Sequence, residues 1–334
     1  MKVLITGGAG FIGSTVASAC EQAGHEPVLL DDLSTGLSAF ALGRPLYVGD
    51  VGDPVLISRV VSEHPDIAAV VHCAAKIVVP DSVAKPLDYY ANNVGKGVEL
   101  LRSLARHGLT RFVFSSSASI YAVSDDFTVD EDSPLAPASP YAATKAMFET
   151  ILEDASHAGD VRAVSLRYFN PIGADPELRT GLSIPEPSHA LGRLISSWRA
   201  GRPFTITGHD WPTPDGTGIR DYIHVWDLAR AHVAALERFD EVAPASNPYR
   251  VYNIGTGRGV TVRELVTVFE SVTGDAVDVV DGPRRPGDSA GVYTRSERAA
   301  RELDWRAERT LEDGIRDSLA WAERLPDVLG AASA

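Results

Sequence analysis

The segment Val3-Leu4-Ile5-Thr6, followed at once by Gly7-Gly8-Ala9-Gly10-Phe11-Ile12-Gly13, leaves this chain few ways to fold. An apolar, β-branched run reads as a buried strand, and the amphipathic stretch after Gly13 reads as a helix. A strand feeding a helix through such a turn is the opening unit of a parallel sheet. The run satisfies two glycine spacings, Gly8-x-Gly10-x-x-Gly13 and Gly7-x-x-Gly10-x-x-Gly13. Backbone without Cβ lets a pyrophosphate approach the N–H groups of a helix N-terminus. Tight turns also select glycine, so the motif alone is weak. Here, however, a second strand ends in Asp31, 18 residues after Gly13. An acid there accepts hydrogen bonds from an adenosine ribose 2′-OH. Asp31 and Asp32 would repel a 2′-phosphate, and no arginine follows before Arg44, which predicts NAD over NADP.

The first two thirds of the chain repeats that unit. Strands are predicted at 2–6, 26–30, 46–48, 68–73, 111–115 and 162–166, with helices near 11–24, 54–64, 86–107 and 140–158. Ser139-Pro140 supplies a capping residue and a first-turn proline for the last of these. The alternation predicts an α/β fold: a doubly wound parallel sheet of the Rossmann type with a smaller α/β substrate-binding domain. The cofactor domain is expected over 1–170, with further segments returning from about 220–256, and 171–334 is expected to form mainly the substrate domain. Residues 171–220 are rich in Pro, Gly, Asp and Thr but keep aliphatics and aromatics. They read as ordered loops with one helix near 188–200.

With 31 Lys+Arg against 45 Asp+Glu the net charge is −14, and no basic run occurs. That argues against nucleic acid or an anionic membrane as partner. No apolar stretch approaches the ~20 residues that span a bilayer, and glycines interrupt the N-terminus where a signal peptide would be apolar, so a cytoplasmic protein is expected. Cys20 and Cys73 are expected as small buried hydrophobes in a reducing compartment. His72, His209 and His224 lack ligand spacing, and no metal is expected.

In an open α/β sheet the ligand lies outside the carboxyl ends of the strands. Ser115, Ser116 and Ser117 close one strand-like run, Tyr168 and Asn170 follow another, and Asp50-Val51 follows a third, within reach of an adenine ring. Tyr141-Ala-Ala-Thr-Lys145 places a phenol and an ammonium at i and i+4, on one helix face. A free tyrosine titrates near ~10 and is a poor base at neutral pH. A fixed positive charge nearby stabilises its phenolate. Ser117 can hydrogen-bond the same substrate oxygen.

Together these features resemble the extended short-chain dehydrogenases/reductases, and within them the NAD-dependent epimerase/dehydratase family and its UDP-glucose 4-epimerases. The resemblance is carried by TGGAGFIG (6–13), NNV (92–94), FSSSASIY (114–121), SPYAATK (139–145), RYFNPIGA (167–174), DGTGIRDYIHVWDLARAHVAAL (215–236) and YNIGTG (252–257). PRRPGD (283–288) and RELDW (301–305) extend it over nearly the whole chain. It implies NAD as cofactor, bound by Gly7, Gly10, Phe11, Ile12, Gly13, Asp31, Asp50, Val51, Asn93, Ser115, Tyr141, Lys145 and Tyr168. It implies a UDP-sugar substrate, bound by Ser117, Tyr141, Asn170, His189, Arg220, Arg285, Asp288 and Val292. Tyr141, Lys145 and Ser117 are the implied catalytic set. Tyr141 would take the proton of the sugar 4-OH while the C4 hydride moves to NAD, and the 4-keto sugar would rotate before the hydride returns. Lys145 would lower the Tyr141 pKa, and Ser117 would bridge Tyr141 and the substrate. The implied activity is interconversion of UDP-glucose and UDP-galactose, in a homodimer paired through helices 86–107 and 140–158.

Four positions depart from the family pattern. Ile77 stands where bacterial epimerases carry a lysine beside the active site; Lys76 is one position away, on the opposite face of an extended segment. The usual paired asparagines before the substrate helix are absent, with His189 in the nearest place. Thr207 replaces an aromatic against uracil, and Val292 stands at a gate position. A small gate leaves volume for a 2-N-acetyl group, which extends the expectation to UDP-N-acetylglucosamine and UDP-N-acetylgalactosamine. An epimerase for a UDP-pentose or UDP-uronate is the alternative, since pocket loops decide the sugar. A non-catalytic NAD-binding scaffold is the remote one, disfavoured by the presence of Tyr141 and Lys145. Dehydration is disfavoured because Ser117-Ala118-Ser119 offers no Asp or Glu.

Overall fold

The computed structural model describes residues 1–184, 187–285 and 287–332. Seven strands form the central sheet: β1 (Lys2–Thr6), β2 (Glu26–Asp31), β3 (Leu46–Val48), β4 (Ile67–His72), β5 (Arg111–Ser115), β6 (Arg162–Tyr168) and β7 (Tyr249–Ile254). Their order is β3-β2-β1-β4-β5-β6-β7, and every pairing is parallel. The order reverses between β1 and β4, which opens a crevice at the carboxyl ends of those two strands.

Each face of the sheet buries its own core, as a side-chain period of two requires. Val3 and Ile5 of β1, Val71, Val113 and Leu166 pack with the helices Phe11–Gln22 (α1) and Val225–Glu237. Leu4, Val70, Phe112 and Phe114 pack on the other face against Leu100, Leu104, Phe148 and Leu152. A third core, including Leu191, Phe204, Leu265, Phe269 and Ile315, is drawn from residues 172–315.

Two features differ from expectation. The seventh strand was not foreseen: β7 pairs with β6 from Tyr249 opposite Ala163 to Ile254 opposite Tyr168. The helix expected over 86–107 is broken into a short turn (Pro86–Tyr89), a wide π turn (Tyr90–Gly95) and a regular helix (Lys96–Arg106). The wide turn points Asn93 inward, where its amide accepts from the Lys76 N–H at 2.9 Å. The same amide donates to the Lys76 carbonyl oxygen at 3.0 Å and to the Thr144 hydroxyl at 3.1 Å. Such bulges satisfy local bonding demands that a regular helix cannot meet. Just beyond it, a Cβ on Gly97 would lie 2.5 Å from the Phe148 ring, so that ring packs directly on the helix backbone.

Candidate active site

A cavity of about 1120 Å³ opens at the carboxyl ends of the strands. It is larger than the ~300–1,000 Å³ that holds one drug-sized ligand. Gly7, Gly10, Phe11, Ile12 and Gly13 line it from the first turn, with Asp31, Asp50 and Val51 from the ends of β2 and β3. Residues after 168 supply Asn170, His189, Arg220, Arg285, Asp288 and Val292.

The glycines of the turn serve different ends. A Cβ on Gly13 would sit 2.1 Å from the Gly7 carbonyl oxygen, and one on Gly7 would sit 2.7 Å from the Ala74 nitrogen. Gly7 also has φ +67°, in the left-handed region. The turn cannot close without these two. Gly10 has an extended backbone (φ −87°), and its Cβ would meet only the Gly7 oxygen, at 3.3 Å. Its bareness answers to what occupies the cavity, at the N-terminus of α1, and so the cradle fits a pyrophosphate. Asp31 is buried, and its carboxylate accepts from the N–H groups of Ala9 (3.0 Å) and Leu33 (2.8 Å). Burial raises its pKa, and those two bonds oppose the rise. The free lone pairs of the carboxylate suit a ribose diol. Asp50 pairs with Lys96 at 2.7 Å, which holds its pKa below the usual carboxylate value against a burial effect in the other direction.

The helix Pro140–Ala158 starts on Ser139, whose hydroxyl accepts from the Ala142 N–H at 3.2 Å. That cap puts Tyr141 in the first turn, on the cavity wall, with Lys145 one turn deeper. Burial pushes the Tyr141 pKa up, and hydrogen bonding by Ser117 pulls it back. Lys145, 2% exposed, donates to the Ser115 carbonyl oxygen at 2.7 Å and lies 4.7 Å from the Phe114 ring centroid. Burial lowers its pKa to about 8. Tyr168 lines the cavity, with a pKa raised by burial.

Three residues expected to touch the cofactor stand behind the cavity wall. Asn93 braces Lys76 to Thr144, and Lys145 reaches the Ser115 carbonyl. The Ser115 hydroxyl bonds His232 Nε2 at 2.7 Å and Cys73 Sγ at 3.2 Å. These three side chains brace the residues that line the cavity. Cys73, expected as buried packing, lines the cavity instead, its thiol pushed up to about 11 by burial.

On the side of the cavity built by residues after 168, Arg220 donates to the carbonyl oxygens of Ile219 (2.7 Å), Ala290 (2.8 Å) and Ser289 (3.1 Å). Among the described residues no carboxylate pairs with it, so a guanidinium stands at the wall with neutral partners only. An anion with two oxygens suits that fork. Its neighbour Asp221 is fully buried and accepts from the Thr256 N–H (2.8 Å) and the Gly257 N–H (3.0 Å). This anchors the Arg220 segment to the end of β7. Arg285 instead pairs with Asp288 at 2.9 Å. His189 caps the helix Ala190–Arg199, its Nδ1 accepting from the Gly192 N–H at 3.2 Å. Burial lowers the His189 pKa to about 4, so it is uncharged at neutral pH. Val292 packs with Ala118, Tyr121, Val129 and Phe169. Thr207 lines the cavity, and so does Trp211, which the sequence reading passed over; the Arg284 guanidinium lies 3.7 Å from its ring centroid. Nothing local in the sequence distinguishes this loop tryptophan from a surface one.

The sequence pattern of the NAD dependent epimerase/dehydratase family matches residues 3–255. The chain belongs to this family. A UDP-glucose 4-epimerase of Azospirillum brasilense is 43% identical over all of this chain and 95% of the relative. A family structure, UDP-glucose-4-epimerase from Stenotrophomonas maltophila with bound NAD and formylated UDP-arabinopyranose, superposes with a TM-score of 0.91. It is 35% identical and covers 98% of this chain and 99% of its own. The UDP-Glc/GlcNAc 4-epimerase of Campylobacter jejuni is 33% identical with a TM-score of 0.81, covering 97% and 99%. No helix among the described residues is long and apolar enough to cross a membrane.

Proposed function

We propose that this protein interconverts UDP-glucose and UDP-galactose by transient oxidation at sugar C4, with NAD as its resident cofactor. The observation that carries the reading is Tyr141 on the cavity wall beside Ser117, in the same cavity as the glycine cradle and the Arg220 fork. NAD, when bound, supplies the hydride acceptor for C4 and a positive charge that favours the Tyr141 phenolate. Tyr141 Oη takes the proton of the sugar 4-hydroxyl and returns it after the sugar has turned. Ser117, on the cavity wall beside the phenol, orients that hydroxyl. Lys145, held by the Ser115 carbonyl, keeps its cation beneath this site. Arg220, with Arg285 and Asp288 beside it, holds the UDP end while the 4-keto sugar rotates. The cavity residues Gly7, Gly10, Gly13, Asp31 and Asp50 support the cofactor end of this reading.

Val292 and Ala118 line the sugar end with small side chains, which favours acceptance of the N-acetylated UDP-sugars as well. A homodimer is supported by apolar side chains left bare near the helices expected to pair: Leu87 at 79% and Met147 at 48% exposure. Purified protein is expected to carry NAD(H), seen by absorbance and fluorescence, and to convert UDP-galactose in a panel of UDP-sugars read by chromatography. Tyr141→Phe keeps the cofactor and loses conversion; normal turnover in that variant would refute the assigned base.

A further inference from the structure

The helix Ala190–Arg199 carries a cation that none of the motifs above uses. Arg193 lies at i+4 from the His189 cap, on the same helix face, and both residues line the cavity. Among the described residues its guanidinium makes no ion pair and no hydrogen bond. Other arginines of this region are matched: Arg285 by Asp288 at 2.9 Å and Arg284 by Asp210 at 2.7 Å. Of the arginines that line the cavity, Arg220 alone among the described residues likewise lacks a carboxylate partner.

The diphosphate of a nucleotide sugar carries one negative charge on each phosphate. Against it, Arg285 with Asp288 counts as a neutral pair, and Lys76, which also lines the cavity without an ion pair among the described residues, lacks a planar fork. Arg193 adds a second unpaired guanidinium to that of Arg220. Its helix is also tied to the Arg285 loop, because Arg285 Nη1 donates to the Ser188 carbonyl oxygen at 3.0 Å, directly before the cap. His189 cannot take the part of the second cation, since burial keeps it neutral.

We propose that Arg193 is a binding residue for the diphosphate of the substrate, an unpaired guanidinium acting together with Arg220. The proposal rests on the UDP-sugar reading above. Calorimetric titration of the NAD-loaded protein with UDP, across a series of salt concentrations, tests it. Arg193→Gln is expected to weaken UDP binding by roughly tenfold or more, the scale of one charge-assisted hydrogen bond. Arg193→Lys is expected to restore part of the loss, because it returns the charge without the fork. The dependence of UDP affinity on salt is expected to be shallower in Arg193→Gln. An unchanged UDP affinity in Arg193→Gln overturns the proposal, and so does a loss that leaves the salt dependence as it was. Wild-type protein that binds no UDP would remove the UDP-sugar reading itself, and the arginine's part with it.

Discussion

Replacing Gly10 by alanine separates the demands of the fold from those of the ligand. The backbone there is extended (φ −87°), so alanine adopts it without strain. The new Cβ would meet one protein atom, the Gly7 carbonyl oxygen, at 3.3 Å, a contact relieved by a shift of a few tenths of an ångström. Gly→Ala also removes freedom from the unfolded chain, an effect of about 0.4–1 kcal/mol in favour of folding. Stability without cofactor is therefore expected to stay within about 1 kcal/mol of wild type. In the proposed cofactor site the methyl group would stand in the path of the pyrophosphate to the first N–H groups of α1. Losing one charge-assisted hydrogen bond there costs about 1.5–3 kcal/mol, or roughly 10- to 100-fold in NAD affinity. Gly13→Ala behaves differently: its Cβ would fall 2.1 Å from the Gly7 oxygen, so the turn itself must open and the melting point drops. The assay is thermal unfolding with and without added NAD, together with the NAD retained after dialysis. Gly10→Ala protein that melts like wild type and retains NAD like wild type would refute the reasoning, and so would a Gly13→Ala protein of unchanged stability.

Lys145 carries a pH signature. Its pKa is about 8 in the folded protein against 10.5 when free, so below pH 8 both states are protonated and the burial penalty is present in full. Between pH 8 and 10.5 the unfolded chain holds more protons, and wild-type stability rises relative to Lys145→Met. Melts of both proteins from pH 7 to 10 check this; a difference independent of pH contradicts it. Glu149 accepts from Arg167 Nε at 3.0 Å and from the Ser116 hydroxyl, with both charged side chains buried. Glu149→Ala leaves the Arg167 guanidinium buried beside Tyr121 without its counter-ion, a loss expected at about 3–5 kcal/mol in denaturant unfolding. A loss under about 1 kcal/mol would show that water reaches the pair.

Much of the sheet could be read from the chain because its strands are nearly continuous apolar runs, as buried parallel strands must be. The observed bounds of β1, β3 and β5 coincide with those runs. β7 escaped because Arg250 and Asn253 interrupt the apolar run YRVYNI and it lies far from the other strands, so only its pairing with β6 makes it part of the sheet. The break at Tyr90–Gly95 was hidden for a related reason: the partners of Asn93, at Lys76 and Thr144, are remote in sequence. Helix spacing alone brought Tyr141 and Lys145 to one face. It could not say that the Lys145 ammonium ends on a backbone carbonyl of β5. Nor does sequence separate the unmatched Arg193 from an ordinary surface arginine, because that difference lies in which carboxylates the fold brings near.

The late arrival of β7 has a consequence for the order in which the protein can be made. Until Ile254 has left the ribosome, β6 presents an unpaired edge of N–H and C=O groups, flanked by the buried Val164 and Leu166. Such an edge pairs with any strand that meets it. A chain cut after Asn170 lacks the strand that pairs with β6 and leaves that edge open. Completion of the sheet waits for a segment encoded midway through residues 171–334, so the sheet closes only after the first part of that stretch has been made.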